Sequence, residues 1–174
     1  MQGFLPNALR ATVLAALIAI GLGAICGAPR LALAGDPSPF DRLAGRWIGE
    51  GRFGTKDGNT ETVKCRVTYI VSGTSHDDLR QTIRCAASSD TIEVQSLVMH
   101  ASGRLTGTWK ELSRDMNGEL SGEVTPKGFR VAVKGTSLNA NMAIILVNDA
   151  KQVVEIQFIN NSTLVGLTLV LEKR

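Results

Sequence analysis

The chain has 174 residues, 44% of them hydrophobic, 20% charged and only 5% aromatic, with 18 Gly, 5 Pro, 3 Cys and a formal net charge of +3. That apolar content excludes a disordered chain, the Gly-to-Pro ratio excludes a collagen-like repeat, and three cysteines exclude a cysteine-dense scaffold. One domain of ordinary size is left, and its sequence is far more informative about compartment and architecture than about activity.

The first segment reads as a secretory signal. Residues 1–10 end on a basic residue, residues 11–26 are almost purely apolar, and Ala32-Leu33-Ala34 supplies the small-x-small pattern of a cleavage site, so cleavage is expected after Ala34. The apolar run falls short of the about 20 residues that cross a hydrocarbon core, and Pro29 and Arg30 follow it directly. A lipid anchor on Cys26 is disfavoured because Gly23 and Ile25 stand where the lipoprotein pattern has a branched and a small residue. The expected organisation is a signal peptide over 1–34, a tail with a short helical turn over 35–44 and a β-barrel over 45–174, in the periplasm or outside the cell. No stable membrane span is expected in the mature form. Without the signal, 140 residues carry 17 basic and 16 acidic side chains, a net charge of +1. These are interspersed in sign, and a chain without a basic stripe has no means of neutralising many phosphates at once, so nucleic acid is excluded as a partner.

The next segments read as strands. Trp47, Gly49, Gly51 and Phe53 alternate with Arg46, Ile48, Glu50 and Arg52, and Asp57-Gly58 then signals a tight hairpin. Val63, Cys65, Val67, Tyr69 and Val71 alternate with polar residues, as do Leu79, Ile83 and Cys85. In an oxidising compartment Cys65 and Cys85 form an even pair, and a disulfide between them is expected. A hairpin that sets Cys65 opposite Cys85 also sets Val71 opposite Leu79 and leaves residues 72–78 as the loop. Directly opposed residues lie about 4.5–5.5 Å apart at Cα, which suits a disulfide, so register and bridge support each other. Further strands follow near residues 92–100, 105–111, 119–125, 129–135, 142–147, 153–159 and 164–172. Ser102-Gly103, Asn117-Gly118, Pro126-Lys127-Gly128, Asn148-Asp149 and Asn160-Asn161 separate them as turn formers. Only residues 40–43 suggest a helical turn.

About ten short antiparallel strands with one apolar face each either stack as two sheets or close on themselves, and the short links favour an all-β, up-and-down antiparallel barrel. Period-two counting places Trp47, Val67, Ile83, Val94, Trp109, Val124, Val131, Ile156 and Leu167 inside. Gly49, Gly51, Gly107, Gly122 and Gly135 fall on the same face. There a glycine either marks a sharply coiled strand or leaves room for a ligand.

Leu43-Ala44-Gly45-Arg46-Trp47, a turn leading into Gly-x-Trp on the first strand, resembles the opening of calycin barrels such as lipocalins and avidins. Leu105-Thr106-Gly107-Thr108-Trp109 resembles the repeated Gly-x-Trp strands of the avidin-like branch. Over residues 38–174 the chain also resembles an uncharacterised family of small exported alphaproteobacterial proteins with a Leu-Ala-Gly-x-Trp start and two cysteines. The resemblance implies a calycin-like architecture. It implies no particular ligand, because residues 142–174 lack the late haem-ligating His of nitrobindin-like relatives and no biotin-binding set matches.

Ser75-His76-Asp77-Asp78 contains the residue types of a hydrolase triad, but four consecutive loop residues splay apart, whereas a triad converges in space. His100 has no spacing to His76 that makes a zinc pattern. No enzyme activity, cofactor or metal is therefore expected. The expected function is non-catalytic binding of a small apolar or amphipathic ligand, with Trp47, Tyr69 and Trp109 lining a pocket and Gln81, Ser96 and His100 supplying polarity. Plain core packing is the competing reading of those aromatics. The competing function is an envelope interaction protein, or a protease-inhibitor-like barrel, that acts through its surface or its Pro-containing N-terminal tail.

Overall fold

A computed structural model describes residues 37–88, 90–159, 161 and 163–174. The expected signal over 1–34, with Cys26, lies outside the described residues. Ten strands follow one another: β1 (Gly45–Thr55), β2 (Thr60–Ser72), β3 (Asp78–Ala86), β4 (Thr91–Ala101), β5 (Arg104–Glu111), β6 (Met116–Thr125), β7 (Gly128–Gly135), β8 (Asn139–Asn148), β9 (Lys151–Ile159) and β10 (Leu164–Lys173). Each pairs antiparallel with its sequence neighbours, and β1 pairs with β10, which closes the sheet into an up-and-down barrel. Closure satisfies both edges that an open meander would leave unpaired. The strands agree with those read from alternation because inward positions are apolar, and a shift of one residue would turn every one of them to solvent.

Turn chemistry fixes the hairpins. Ser102 (φ 50°) and Gly103 (φ 80°) form the two-residue link between paired Ala101 and Arg104, and both adopt the left-handed conformation that such a link requires. Asn117-Gly118, expected as a turn, lies instead within β6, and the turn falls at residues 112–115. Gly118 sits opposite Trp109 and Gly135, and a Cβ there would come within 1.9 Å of the Lys134 carbonyl oxygen. Close backbone approach, and not turn formation, is what requires glycine at this position.

The expected register of β2 on β3 is present, with Cys65 opposite Cys85 and Val71 opposite Leu79. The disulfide joins Cys65 to Cys85 across a Cα separation of 4.1 Å, slightly closer than expected for an opposed pair. Ahead of β1, residues 38–44 make a run of tight turns. The Asp41, Leu43 and Ala44 amides donate to the Ser38, Phe40 and Asp41 carbonyls. This compact knot puts Phe40 and Leu43, each 1% exposed, inside one end of the barrel.

Candidate functional site

The two ends of the barrel differ. At the end where β1 starts, the N-terminal turn acts as a stopper. Phe40 packs edge-on against His100 and tilted against Phe129, with ring centroids 6.1 and 5.8 Å away. The Trp47 indole N–H donates to the Leu43 carbonyl at 2.7 Å, so the first strand's tryptophan is anchored to the stopper. Lys173 lies over the Trp47 ring at 5.2 Å and donates to the Arg42 carbonyl. On the rim, the Ser38 hydroxyl donates to the His76 carbonyl at 2.6 Å, the His76 ring meets Asp41 at 2.9 Å, and Arg42 pairs with Asp149.

At the opposite end several inward side chains are partly exposed. Phe53, Ile83, Val94, Met142, Ile156 and Leu167 share the inward register of six strands, yet each is only half-buried. Together they give this end of the barrel an apolar inner lining, the cup. Beside its mouth the Glu111 carboxylate, 3% exposed, accepts the Ser113 amide at 3.0 Å and the Arg114 amide at 2.6 Å. Burial pushes this carboxyl up, but the Arg114 and Ser113 N–H groups outweigh it and hold its pKa below the usual glutamate value. The Arg114 guanidinium in turn pairs with Asp90, joining two loops of the rim.

Between stopper and cup runs a band of uncharged polar side chains. Tyr69, Gln81 and Ser96 occupy successive register positions on β2, β3 and β4 and are all buried. Across the interior, the Tyr69 hydroxyl donates to Gln152 Oε1 at 3.3 Å. Burial pushes the Tyr69 hydroxyl up to about 12, hydrogen bonding with Gln81 and Gln152 only partly opposing it.

Of the side chains expected to line a pocket, Tyr69, Gln81 and Ser96 are thus brought together. Trp109 follows Ser96 in register, its indole N–H donating to the Lys134 carbonyl at 3.2 Å and its ring filling the space a Gly135 Cβ would need. Trp47 is completely buried beneath the stopper. His100 stands apart on the stoppered rim, where its ring meets Asp77 at 3.1 Å and Phe40. The side chains of the Ser75-His76-Asp77-Asp78 loop diverge, His76 toward Asp41 and Asp77 toward His100. Among the described residues no cluster of three or more His, Cys, Asp or Glu is arranged to hold a metal ion.

Sequence reasoning missed two parts of this interior. Gln152 lies one residue before the expected start of its strand, although counting back by twos from inward Ile156 reaches it. The cup escaped notice because exposure depends on which end the stopper closes. The inward glycines resolve as coiling points: a Cβ on Gly49 would meet the Val170 carbonyl oxygen at 1.8 Å, so neighbouring backbone and not a void occupies that space. Two grooves, of 840 and 620 Å³, lie on the outer wall and carry both signs of charge along the first, where Arg84 makes a two-pronged pair with Glu93.

Ten antiparallel strands in sequential order, closed β1 to β10 and stoppered by an N-terminal turn that leads into Gly-x-Trp, define a calycin-like barrel. Solved structures of the same fold include the S-type phycobiliprotein lyase CPES from Guillardia theta (TM-score 0.58, 10% identity, 78% of this chain and 90% of that one). Rv2717c from M. tuberculosis is also similar (TM-score 0.61, 11% identity, 78% and 94%). A DUF3598-family protein of unknown function from Nostoc punctiforme matches with TM-score 0.53 and 16% identity over 78% of this chain, which spans 48% of that protein. At such identities the likeness is one of fold. No family model and no curated sequence matches the chain. Among the described residues no helix is long and apolar enough to cross a membrane.

Proposed function

We propose that the protein is exported to the periplasm or beyond the cell and there binds a small apolar or amphipathic molecule, without catalysis, in the cup at the open end of its barrel. The observation that carries this reading is the asymmetry of the interior. Phe40 and Leu43 are buried inside one end, where inward Val71, Val98 and Val124 are also partly buried, whereas at the other end six strands each carry a partly buried inward apolar side chain. Apolar surface left facing water inside a rigid closed wall is unfavourable unless something covers it, and a pre-formed concave apolar site with a few polar groups suits a small ligand. The signal-like segment before Gly35 and the Cys65–Cys85 bridge support an oxidising compartment.

Native mass spectrometry of protein recovered from its own host tests both parts. The polypeptide is expected to begin at Gly35 and to carry a reproducible extra mass that organic solvent releases. A bare polypeptide mass in every preparation overturns ligand binding and turns attention to the outer wall, where Ile70, Leu97 and Met99 are more than half exposed. An intact residue 1 overturns export by cleavage.

A further inference from the structure

Gln152 has a singular position in the interior. Its side chain is completely buried, its Oε1 accepts the Tyr69 hydroxyl, and its Nε2 meets no acceptor among the described residues. A buried amide donor without a partner is unfavourable, and such a group in a native fold calls for a physical explanation, an acceptor supplied from outside the chain among them. The surroundings limit what that is. Gln81 and Ser96 lie one inward position below Ile83 and Val94, so the polar band forms the floor of the cup on that side. Every member of the band is uncharged, and the Tyr69 hydroxyl, with its raised pKa, stays protonated at neutral pH. The charged side chains in the inward register are already engaged: Lys173 with the Arg42 carbonyl and Trp47, Glu111 with its loop amides, and Glu61, opposite Phe53 at the cup, with the Ser88 hydroxyl. The band therefore offers hydrogen bonds but no counter-ion, and a buried carboxylate would be left unpaired.

We propose that Gln152 Nε2 donates to the oxygen of an uncharged carbonyl group, a ketone, ester or amide, at the inner end of an amphipathic ligand whose apolar remainder lies in the cup. The inference rests on the binding function proposed above and specifies the chemistry of its ligand. Tyr69 acts on the same amide from the other side, its hydroxyl holding Oε1 while Nε2 is left without an acceptor among the described residues.

The test compares octane, 2-octanone and octanoate as probes, by calorimetry on the wild-type protein and on Gln152→Met. The wild type is expected to bind 2-octanone about tenfold more tightly than octane, as one added neutral hydrogen bond in a dry site allows, and octanoate no better than octane. Gln152→Met should abolish the ketone preference while octane affinity stays within about twofold. A ketone preference that survives in Gln152→Met, one that is absent from the wild type, or a preference for octanoate overturns the inference and leaves apolar binding standing. Failure of all three probes to bind overturns the binding function and this inference with it. A second readout does not depend on the variant's affinity: the side-chain ¹⁵N–¹H₂ signals of Gln152 should shift with 2-octanone and not with octane. Equal shifts count against the assignment.

Discussion

Gly49 and Gly54 lie five residues apart on β1, but space treats them differently. A Cβ on Gly49 would overlap the Val170 carbonyl and Leu171, whereas nothing lies within 4 Å of one on Gly54. Gly49→Ala is expected to lower stability by about 3 kcal/mol, the upper range for overpacking against backbone that cannot move aside. Gly54→Ala should change it by less than about 0.5 kcal/mol, as is usual for an exposed or open position. Urea midpoints of the two variants check both. Glu111 yields a pH-dependent expectation. Its folded pKa lies below its unfolded value, so its stabilising effect is complete above about pH 4.5 and is lost as pH falls through the folded pKa. The urea midpoint of the wild type should therefore fall more steeply than that of Glu111→Gln as pH drops below about 4.5. Parallel curves would show that the loop amides do not hold this carboxylate.

At the scale of elements, the stopper is a few residues without regular structure that complete the core of a ten-stranded sheet. Phe40 touches the rings of His100 and Phe129 from a position only 1% exposed. Phe40→Ala should cost about 3 kcal/mol, because the rigid barrel cannot collapse into the space that the ring leaves. Thermal unfolding of the variant measures this, and a loss below about 1 kcal/mol would make the turn an ornament and not a plug. The β2–β3 hairpin shows how far local pattern reaches. Alternation and the cysteine pair together determine its register, since a disulfide tolerates few separations and a one-residue slip would turn Tyr69, Val67 and Ile83 to solvent. The start of β6 was not legible in the same way: Asn117-Gly118 has the composition of a turn, and only the neighbouring Lys134 backbone explains why a glycine stands in the strand.

For the molecule as a whole, closure is the governing fact. The β1–β10 pair joins residues far apart in sequence, and the disulfide ties a 20-residue separation within the same wall. Removing it, with Cys65 and Cys85 both changed to Ser, should lower stability by about 3 kcal/mol through the larger entropy of the unfolded chain. An unchanged urea midpoint would show that closure alone holds the hairpin. What the sequence by itself determined are the properties set by neighbours along the chain: ten strands from period-two alternation, most of the turns from glycine, asparagine and proline, and the inward face, including Tyr69, Gln81, Ser96 and Trp109. Only the tertiary structure decided which end is shut, that the aromatic Trp47 is anchored under the stopper while His100 stands on its rim, and that Gln152 faces Tyr69 across the interior. The physical reason is that alternation encodes which face of a strand is buried and not what lies opposite it. That depends on contacts between residues as distant as 40 and 129 or 69 and 152, which exist only once the barrel has closed.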